Sequence, residues 1–319
     1  MSRIPAESRR TRAPEEPGGI RPGPQGATRE IERPASLISR SGGGRLGRRA
    51  ASALAFAVLV AAALFTLFPI YMGVLNSLKT EGEMLNDILA FPSKLQFANY
   101  ADAFEKIDFW RSLKNTVVVA VVGLAGIILF ASMAGYKMSR TPGKLSGFLF
   151  GAFVLSMLIP FHSIMITLVK ISKDLAVQGS TAGLGFIYIG LGVSMAIFLY
   201  HGFVKSIPRE LDEAAVADGC GELRLFFVVV FPLLLPVTAT IAILNLLWMW
   251  NDFLLPLLML TDSDDYTLLL STNMLFGEYN NDWSAILASL VLAMLPVIAL
   301  YLLLQKFIVN GIADGAIKS

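Results

Sequence analysis

The chain has 319 residues, of which 55% are hydrophobic and 16% charged; its mean hydropathy is +0.64 and its formal net charge +2. Soluble domains seldom reach this hydropathy, whereas repeated apolar runs of about 20 residues are typical of helices that cross a bilayer core about 30 Å thick. The single cysteine, Cys220, excludes an internal disulfide. Neither a GxxxxGK[ST] nor an HExxH motif occurs, which argues against nucleotide hydrolysis and zinc-protease chemistry.

Residues 1–49 differ in composition from the rest of the chain. The first 50 residues contain eleven arginines and five glutamates, with many Pro, Gly and Ser residues. Such a segment has too few large apolar side chains to bury a core, so we predict a disordered basic tail. Its long charged part and the lack of a cleavage site are not typical of a secretory signal peptide. Basic residues beside a membrane helix favour a cytoplasmic N-terminus.

Four apolar stretches predict membrane spans in the first two thirds of the chain. They cover residues 50–71, 113–134, 145–168 and 183–204. Pro160 interrupts the third stretch, since proline removes a helical hydrogen bond. Glycines in the fourth stretch favour close packing between helices.

The segments between these spans predict their orientation. Residues 77–111 contain six acidic, four basic and six aromatic residues, which indicates an external loop with short helices and with aromatic rings at headgroup depth. Residues 137–144 contain three basic residues and no acid, which indicates the cytoplasmic side. Residues 169–182 are then a brief outer connection, and residues 205–224 return to the cytoplasm.

The segment 207–221 is charged and rich in small residues, and it predicts a short helix that ends in a turn. Pro208 suits a first helical turn, and the acids that follow it favour the positive end of the helix dipole. Those acids are Glu210, Asp212 and Glu213. Gly219 and Gly221 are expected to end this helix, because glycine adopts the left-handed conformation without strain. A second helix is predicted to begin at Glu222.

One face of this short helix carries small side chains. Leu211, Ala214, Ala215 and Asp218 fall at positions i, i+3, i+4 and i+7, so they share a face. Small side chains let another molecule approach the helix backbone closely. This geometry predicts a docking element, whereas an ordinary loop with one helical turn is the simpler interpretation.

The spacing of residues in and after this helix resembles the EAA loop of ABC importer permeases. Glu213-Ala214-Ala215 is followed by three residues, Gly219, nine residues and then Val229-Val230-Phe231-Pro232. The resemblance implies a coupling helix at 207–221 that seats in a cleft of a separate ATP-hydrolysing subunit. The residues that it assigns to coupling are Glu210, Glu213, Ala214, Ala215, Asp218 and Gly219.

The fifth predicted span is too long for one straight crossing. Residues 225–260 are almost continuously apolar, and 36 residues of helix are about 54 Å long. We expect a break at Trp250-Asn251-Asp252 with Pro256, and a bend at Pro232 and Pro236. Residues 261–283 carry acids without Lys or Arg, which fits the outside, and a sixth span is predicted at 284–307.

Asn251 and Asp252 are polar groups at membrane depth, where such groups are costly unless they line a cavity or find partners. They predict part of a translocation path or gate; a helix end wetted by headgroups is the alternative. The string WNDFLLPLLML resembles the segment after the EAA loop in sugar-type permeases, which favours the path. Trp250 is included in this prediction, and Asn245 is a further candidate that could instead serve helix packing.

The end of the chain also resembles carbohydrate permeases. In FIVNGIADGAIKS, Gly311, Gly315 and Ala316 match a tail that reaches toward the ATPase pair in that family. Asp314 and Ser319 depart from the pattern. His162 and His201 have no second ligand at helical spacing, so no metal site is predicted.

The resemblance covers residues 50–319 and implies an all-α integral membrane protein with the six transmembrane helices of the type I ABC importer permease fold. It implies a second permease subunit that forms a heterodimer with this chain, two ATP-binding cassette subunits and an extracytoplasmic solute-binding protein. ATP and Mg²⁺ would be bound by the partner ATPase and not by this chain. Both termini are expected in the cytoplasm, and no nucleic-acid partner is expected.

Four interpretations of the function remain open at this stage. The preferred one is the permease subunit of a binding-protein-dependent sugar importer; an ABC importer of another solute is the alternative. A secondary transporter driven by ion gradients usually has ionisable residues within its spans and internal repeats, and this sequence shows few of the former and no repeated half. A membrane scaffold would leave the break at 250–252 without a purpose. Nothing in the sequence names the sugar.

Overall fold

The computed structural model describes residues 45–276 and 282–316, and all regular elements in these ranges are helices. The longer helices are α1 (Arg45–Ser77), α4 (Phe109–Arg140), α5 (Lys144–Ser156), α6 (Phe161–Asp174), α7 (Thr181–Val204), α11 (Leu235–Asn251) and α14 (Trp283–Ala316). The shorter ones are α2 (Glu81–Asn86), α3 (Ala98–Lys106), α8 (Glu210–Ala217), α9 (Glu222–Arg224), α10 (Phe231–Leu233), α12 (Leu254–Met259) and α13 (Leu268–Asn273). A π-helical turn covers Leu225–Val230, and a 3₁₀ turn covers Ser263–Asp265.

The chain divides into two units, residues 1–58 and residues 59–319. In the first unit the structure describes the beginning of α1, which is apolar from Ala51 onward. The tail predicted at residues 1–49 falls almost entirely outside the described residues. The second unit contains all the other helices.

The predicted six-span all-α fold is confirmed. Within the described ranges, four helices are long and apolar enough to cross a membrane by themselves, namely α1, α4, α7 and α14. Two further spans are bent pairs of helices: α5 and α6 meet at 103°, and the stretch Glu222–Leu233 meets α11 at 76°. Pro160 precedes the first residue of α6, at the break predicted for the third span. The outer connection predicted at 169–182 is shorter than expected, because α6 continues to Asp174.

The fifth span bends where Pro232 and Pro236 predicted a bend. The 76° bend lies at Leu234, between Pro232 and Pro236. Since proline has no N–H, each of these residues removes one hydrogen bond from the helix, and both effects meet within one turn. The break predicted at 250–252 also exists as the end of α11 at Asn251. The long apolar stretch is thus interrupted twice.

Helices α4 and α7 form the centre of the second unit, and glycines allow their close approach. A Cβ atom added at Gly135 would lie 2.7 Å from the Tyr200 Cβ, and one added at Gly185 would lie 2.8 Å from the Val122 Cβ. Larger residues at these positions would force the helices apart. The packing role predicted for the glycines of the fourth span therefore holds for Gly185, whereas nothing lies within 4 Å of such an atom at Gly190.

The elements around the start of α4 are joined by buried polar contacts; we call this region the α4-start end. It comprises residues 76–116, residues 262–272 and the beginning of α14. Lys79 is 1% exposed, and its ammonium group donates to Asn76 Oδ1 (3.0 Å) and to the carbonyl oxygens of Asp87 (2.9 Å) and Ile88 (3.1 Å). A buried charge with three acceptors is a stable arrangement.

Further hydrogen bonds at the α4-start end connect helices that are distant in sequence. Asn115 donates to the carbonyl oxygens of Asp264 (2.8 Å) and Tyr266 (3.1 Å). The Ser112 and Ser271 hydroxyls lie 2.7 Å apart. Not every aromatic residue of this region lies at its surface as predicted: Phe109 is buried and stacks on Phe104 at 4.8 Å between ring centres, whereas Trp110 is exposed.

Candidate functional site

The EAA segment, residues 207–221, contains the predicted short helix. α8 runs over Glu210–Ala217, with its three acids in the first turn as expected from the helix dipole. Pro208 lies two residues before α8, so its predicted place in the first turn is wrong by this small distance.

The turn that follows α8 depends on one glycine. Gly219 has a φ of +79° and lies where the helix ends, and the Cys220 N–H donates to the Ala215 carbonyl at 3.0 Å. Only a residue that tolerates positive φ closes this turn without strain. Gly221 has a φ of −70° and caps α9, so the prediction that it also adopts the left-handed conformation is wrong. The second helix begins at Glu222, as predicted.

The face of α8 that was predicted to be a single surface is divided in the structure. Ala215 is 8% exposed and packs into a cluster with Ile207, Leu225 and Phe226. Ala214 and Asp218 are exposed. Glu210, Glu213 and Gly219 are exposed as well. Five of the six residues assigned to coupling are therefore accessible to another subunit, and Ala215 instead attaches the helix to its own chain.

A nearly buried ion pair fixes α8 to the end of α4. The Nε atom of Arg140 lies 2.6 Å from Asp212 Oδ2, and the two side chains are 11% and 15% exposed. Arg140 also donates from Nη2 to the Ile207 carbonyl at 3.1 Å. The sequence does not reveal this pair: it predicts Asp212 only at the positive end of the helix dipole and Arg140 only in the basic loop. No local pattern connects two residues so far apart in the chain.

A second ion pair lies beside the first and is more exposed. Lys137 contacts Glu222 at 3.0 Å, with side chains that are 60% and 85% exposed. Such surface pairs contribute about 0–1 kcal/mol to stability. Because Glu222 belongs to α9, this pair does not hold α8 itself, and the ion pair that attaches α8 to α4 is Arg140 with Asp212.

One apolar cluster connects the EAA segment to the bend in the fifth span. It includes Ala215 of α8, Leu225 and Val230 of the π-helical turn, and Leu234 at the bend. Tyr200 of α7 belongs to the same cluster, and its hydroxyl donates to Thr238 Oγ1 at 2.9 Å. Because interiors pack densely, a displacement of α8 is transmitted to the residues it contacts. The cluster therefore gives a continuous path of contacts from α8 to Leu234.

The second candidate site, at the end of the fifth span, is only partly assembled. Trp250 and Asn251 border a cavity of about 210 Å³ with residues of α13 and α14. Asp252 instead accepts a hydrogen bond from the Tyr188 hydroxyl (2.8 Å), and its Oδ1 accepts from the Leu254 N–H (3.0 Å). Tyr188 is fully buried and was not identified from sequence.

Asn245 lies apart from these residues and packs between helices. It is 4% exposed and donates to the Ile241 carbonyl at 2.9 Å. A Cβ atom added at Gly192 would lie 2.7 Å from Asn245 Oδ1, so this side chain occupies the space that the glycine leaves. These contacts favour the packing alternative for Asn245. The contacts of Asn245 do not test whether residues 250–252 form part of a translocation path, which stays a prediction.

The three C-terminal candidates lie on one helix. Gly311, Gly315 and Ala316 belong to the backbone of α14, which runs to Ala316. The surroundings of these three residues lie outside the described part of the structure. In the described ranges, no group of three His, Cys, Asp or Glu residues is arranged to hold a metal ion.

Comparisons with known proteins agree on one family. The family model for the inner membrane component of binding-protein-dependent transport systems matches residues 127–314. The chain is 38% identical to a probable starch degradation products transport system permease protein of Thermoanaerobacterium thermosulfurigenes, over 80% of this chain and 93% of that protein. It is 35% identical to a melibiose/raffinose/stachyose import permease protein of Bacillus subtilis, over 82% and 94% of the two chains.

A solved structure shows the same fold. A chain of a bacterial ABC transporter involved in the import of the acidic polysaccharide alginate superposes with a TM-score of 0.72. The superposition covers 82% of this chain and 98% of that chain, at 22% sequence identity. At this identity the likeness supports the helix arrangement.

Proposed function

The chain belongs to the family of inner membrane components of binding-protein-dependent transport systems, and from this we propose that it is the permease subunit of an ATP-driven sugar importer. The observation that carries the proposal is the construction of the EAA segment. It presents an exposed helix on one side and, on the other, packs into the cluster that reaches the bend at Leu234.

In the proposed coupling between the ATPase and the permease, the residues of α8 form two groups that make different contacts. The exposed group, with Glu213, Ala214 and Asp218, would contact a separate ATPase subunit. The inward group, Ala215 and Asp212, would keep α8 attached to its own bundle while the ATPase moves. A helix transmits motion only if both of its contacts persist through the movement. This division therefore fits a helix that binds the ATPase on one face and packs against its own helix bundle on the other.

The proposed partners follow from the family and from surfaces that the chain leaves uncovered. The family name implies a solute-binding protein, and the absence of nucleotide-binding motifs implies separate ATPase subunits that bind ATP and Mg²⁺. In α1, Leu64 and Phe65 are 65% and 84% exposed. Lipid or a second permease subunit would cover them. We propose that the EAA segment and both termini lie in the cytoplasm, because the loop at 137–144 is basic.

The solute class rests on relatives. The transport proteins with 33–38% identity are described as acting on starch degradation products, on melibiose, raffinose and stachyose, and on multiple sugars. A sugar of two or more units is therefore the solute that we propose for this transporter. A solute-binding protein would make the finer selection.

Copurification with an ATPase tests the proposal. In a tagged complex, Ala214→Arg places a long charged side chain on the exposed face of α8 and is expected to reduce the copurifying ATPase at least tenfold. Ala101→Arg is the matched control, because Ala101 is also an exposed helical alanine and lies at the α4-start end. Ala215→Arg is less informative, since this side chain is buried and its replacement would disturb folding.

The result also separates the proposal from an ion-coupled transporter. Equal ATPase recovery from the Ala214→Arg and Ala101→Arg proteins would contradict docking on α8. Sugar uptake that persists without any ATPase and follows an ion gradient would contradict an ATP-driven importer as a whole.

A further inference from the structure

A basic cavity lies at the start of the EAA segment, where its lining shares Arg140 and Glu210 with the contacts described above. It has a volume of about 460 Å³ and lies between the end of α4, the end of α7 and the residues that lead into α8. Its lining includes the cations Arg140, Lys205 and Arg209 and the single acid Glu210.

Two of the three cations are available for a ligand. Arg140 is paired with Asp212. Lys205 and Arg209 are exposed and have no ion-pair partner within residues 45–276 and 282–316, and Glu210 does not reach either of them as a salt bridge. Two unpaired cations on one wall give the cavity a positive potential that attracts anions.

The Ser139 hydroxyl adds a hydrogen-bond donor beside the cavity. Ser139 borders the cavity and is 9% exposed, and its Oγ has no hydrogen-bond partner in the described part of the chain. A buried hydroxyl without a partner is unfavourable by about 1–3 kcal/mol. Because the Ser139 Oγ has almost no accessible surface, a rotation of this side chain would bring it to an oxyanion in the cavity. Phosphate oxygens accept hydrogen bonds from hydroxyl, ammonium and guanidinium groups alike.

The position of the cavity identifies the source of the anion. α4 and α7 are spanning helices that end at Arg140 and Val204, and the cavity lies directly beyond both ends. The ends of spanning helices lie at the level of the lipid headgroups, where basic pockets between helices bind anionic headgroups. We propose that this cavity binds the phosphate of an anionic phospholipid headgroup.

A bound headgroup would connect the end of α7 to the start of α8. Lys205 follows α7 directly, and Arg209 is the residue before the first turn of α8. Holding both through one phosphate would restrict the short connection between them and so help to orient α8. This proposal depends on the membrane assignment but not on docking of an ATPase.

Native mass spectrometry of the detergent-purified transporter tests the proposal. The probes are short-chain phosphatidylglycerol, short-chain phosphatidylcholine and inorganic phosphate. The wild-type protein is expected to prefer phosphatidylglycerol to phosphatidylcholine. The Lys205→Gln/Arg209→Gln double variant is expected to bind phosphatidylglycerol about 30-fold more weakly, roughly fivefold for each charge.

The matched control removes two cations from nearby positions outside the cavity. Lys144→Gln/Arg224→Gln has the same net charge as the test variant, and both side chains are exposed. An equal loss in both double variants would overturn the specific site, as would equal binding of the two lipids by the wild type. Binding of inorganic phosphate as tight as that of phosphatidylglycerol would overturn the lipid as the source. ATPase copurification from the same preparations tests docking separately.

Discussion

The two ends of α4 are held by different kinds of contact. At the α4-start end, Lys79, Asn115 and Ser112 make buried hydrogen bonds that connect α1, α4 and α13 with the segments between them. At the other end, one nearly buried ion pair, Arg140 with Asp212, joins α4 to α8. The hydrogen bond from Arg140 to the Ile207 carbonyl and the exposed pair of Lys137 with Glu222 add to it, and most of the other contacts there are apolar.

This difference has a mechanical consequence. Buried polar networks require defined geometry, so they resist displacement. Apolar contacts have no directional requirement and can slide or repack at smaller cost. The α4-start end is therefore suited to stay fixed, whereas the end with α8 is suited to move as one piece around a single polar anchor. The π-helical turn and the bend at Leu234 lie on the movable side.

The largest effect on the free energy of unfolding is expected from removing the buried charge of Lys79 at the α4-start end. Lys79→Met leaves Asn76 Oδ1 and the Asp87 carbonyl without their donor, which we expect to cost roughly 2–5 kcal/mol. The thermal unfolding midpoint of the purified complex measures this loss. Lys94→Met is the control, since Lys94 is exposed. Equal midpoints for the two variants would show that the α4-start end is not specially rigid.

At the end of α4 that contacts α8, we expect a substitution to affect stability less and the coupling of ATP hydrolysis to transport more. Asp212→Asn leaves the Arg140 guanidinium mostly buried without its counter-charge, at a cost of about 1–3 kcal/mol because both groups keep some contact with solvent. The ATPase should still copurify, since the exposed face of α8 is unchanged. Sugar uptake per copurified ATPase is expected to fall.

The exposed ion pair next to Asp212 provides the comparison for this variant. Glu222→Gln breaks only the contact with Lys137, and both side chains of this contact are largely exposed to solvent. We expect sugar uptake per copurified ATPase to change less than twofold, because an exposed ion pair of this kind contributes less than about 0.5 kcal/mol to stability. If Glu222→Gln impaired uptake as much as Asp212→Asn, the view that α8 has one polar anchor would be wrong.

The smallest effect on the unfolding midpoint is expected from Glu83, at the surface of the α4-start end. A hydrogen bond from the Ser93 hydroxyl, with backbone N–H groups of Thr80 and Ser93, lowers the pKa of Glu83 from 4.5 to about 2. Because the folded pKa is below the ordinary value, this stabilisation is present above pH 4.5 and is lost as the pH falls toward 2. The unfolding midpoints of wild type and Glu83→Gln should therefore differ slightly at neutral pH and converge below pH 4.5. A difference that grows on acidification would contradict this assignment.

Much of the fold and part of the site were predictable because they depend on neighbouring residues. The lengths of the apolar stretches predicted six spans, and Pro160, Pro232 and Pro236 predicted two bends. The acids at the start of α8 and Gly219 at its end predicted the short helix and its turn. Each of these follows from local hydrogen bonding, the helix dipole or backbone sterics, which do not depend on distant contacts.

Only the tertiary structure decided which residues face inward. Helical spacing put Ala214 and Ala215 on one surface, but packing against Leu225 and Phe226 buries the second and leaves the first exposed. The Arg140–Asp212 pair and the acceptors of Lys79 also join residues from separate elements. Sequence determined the helices and their ends, since those are local properties. Their buried faces depended on which other helices lie against them, and this is a property of the assembled bundle.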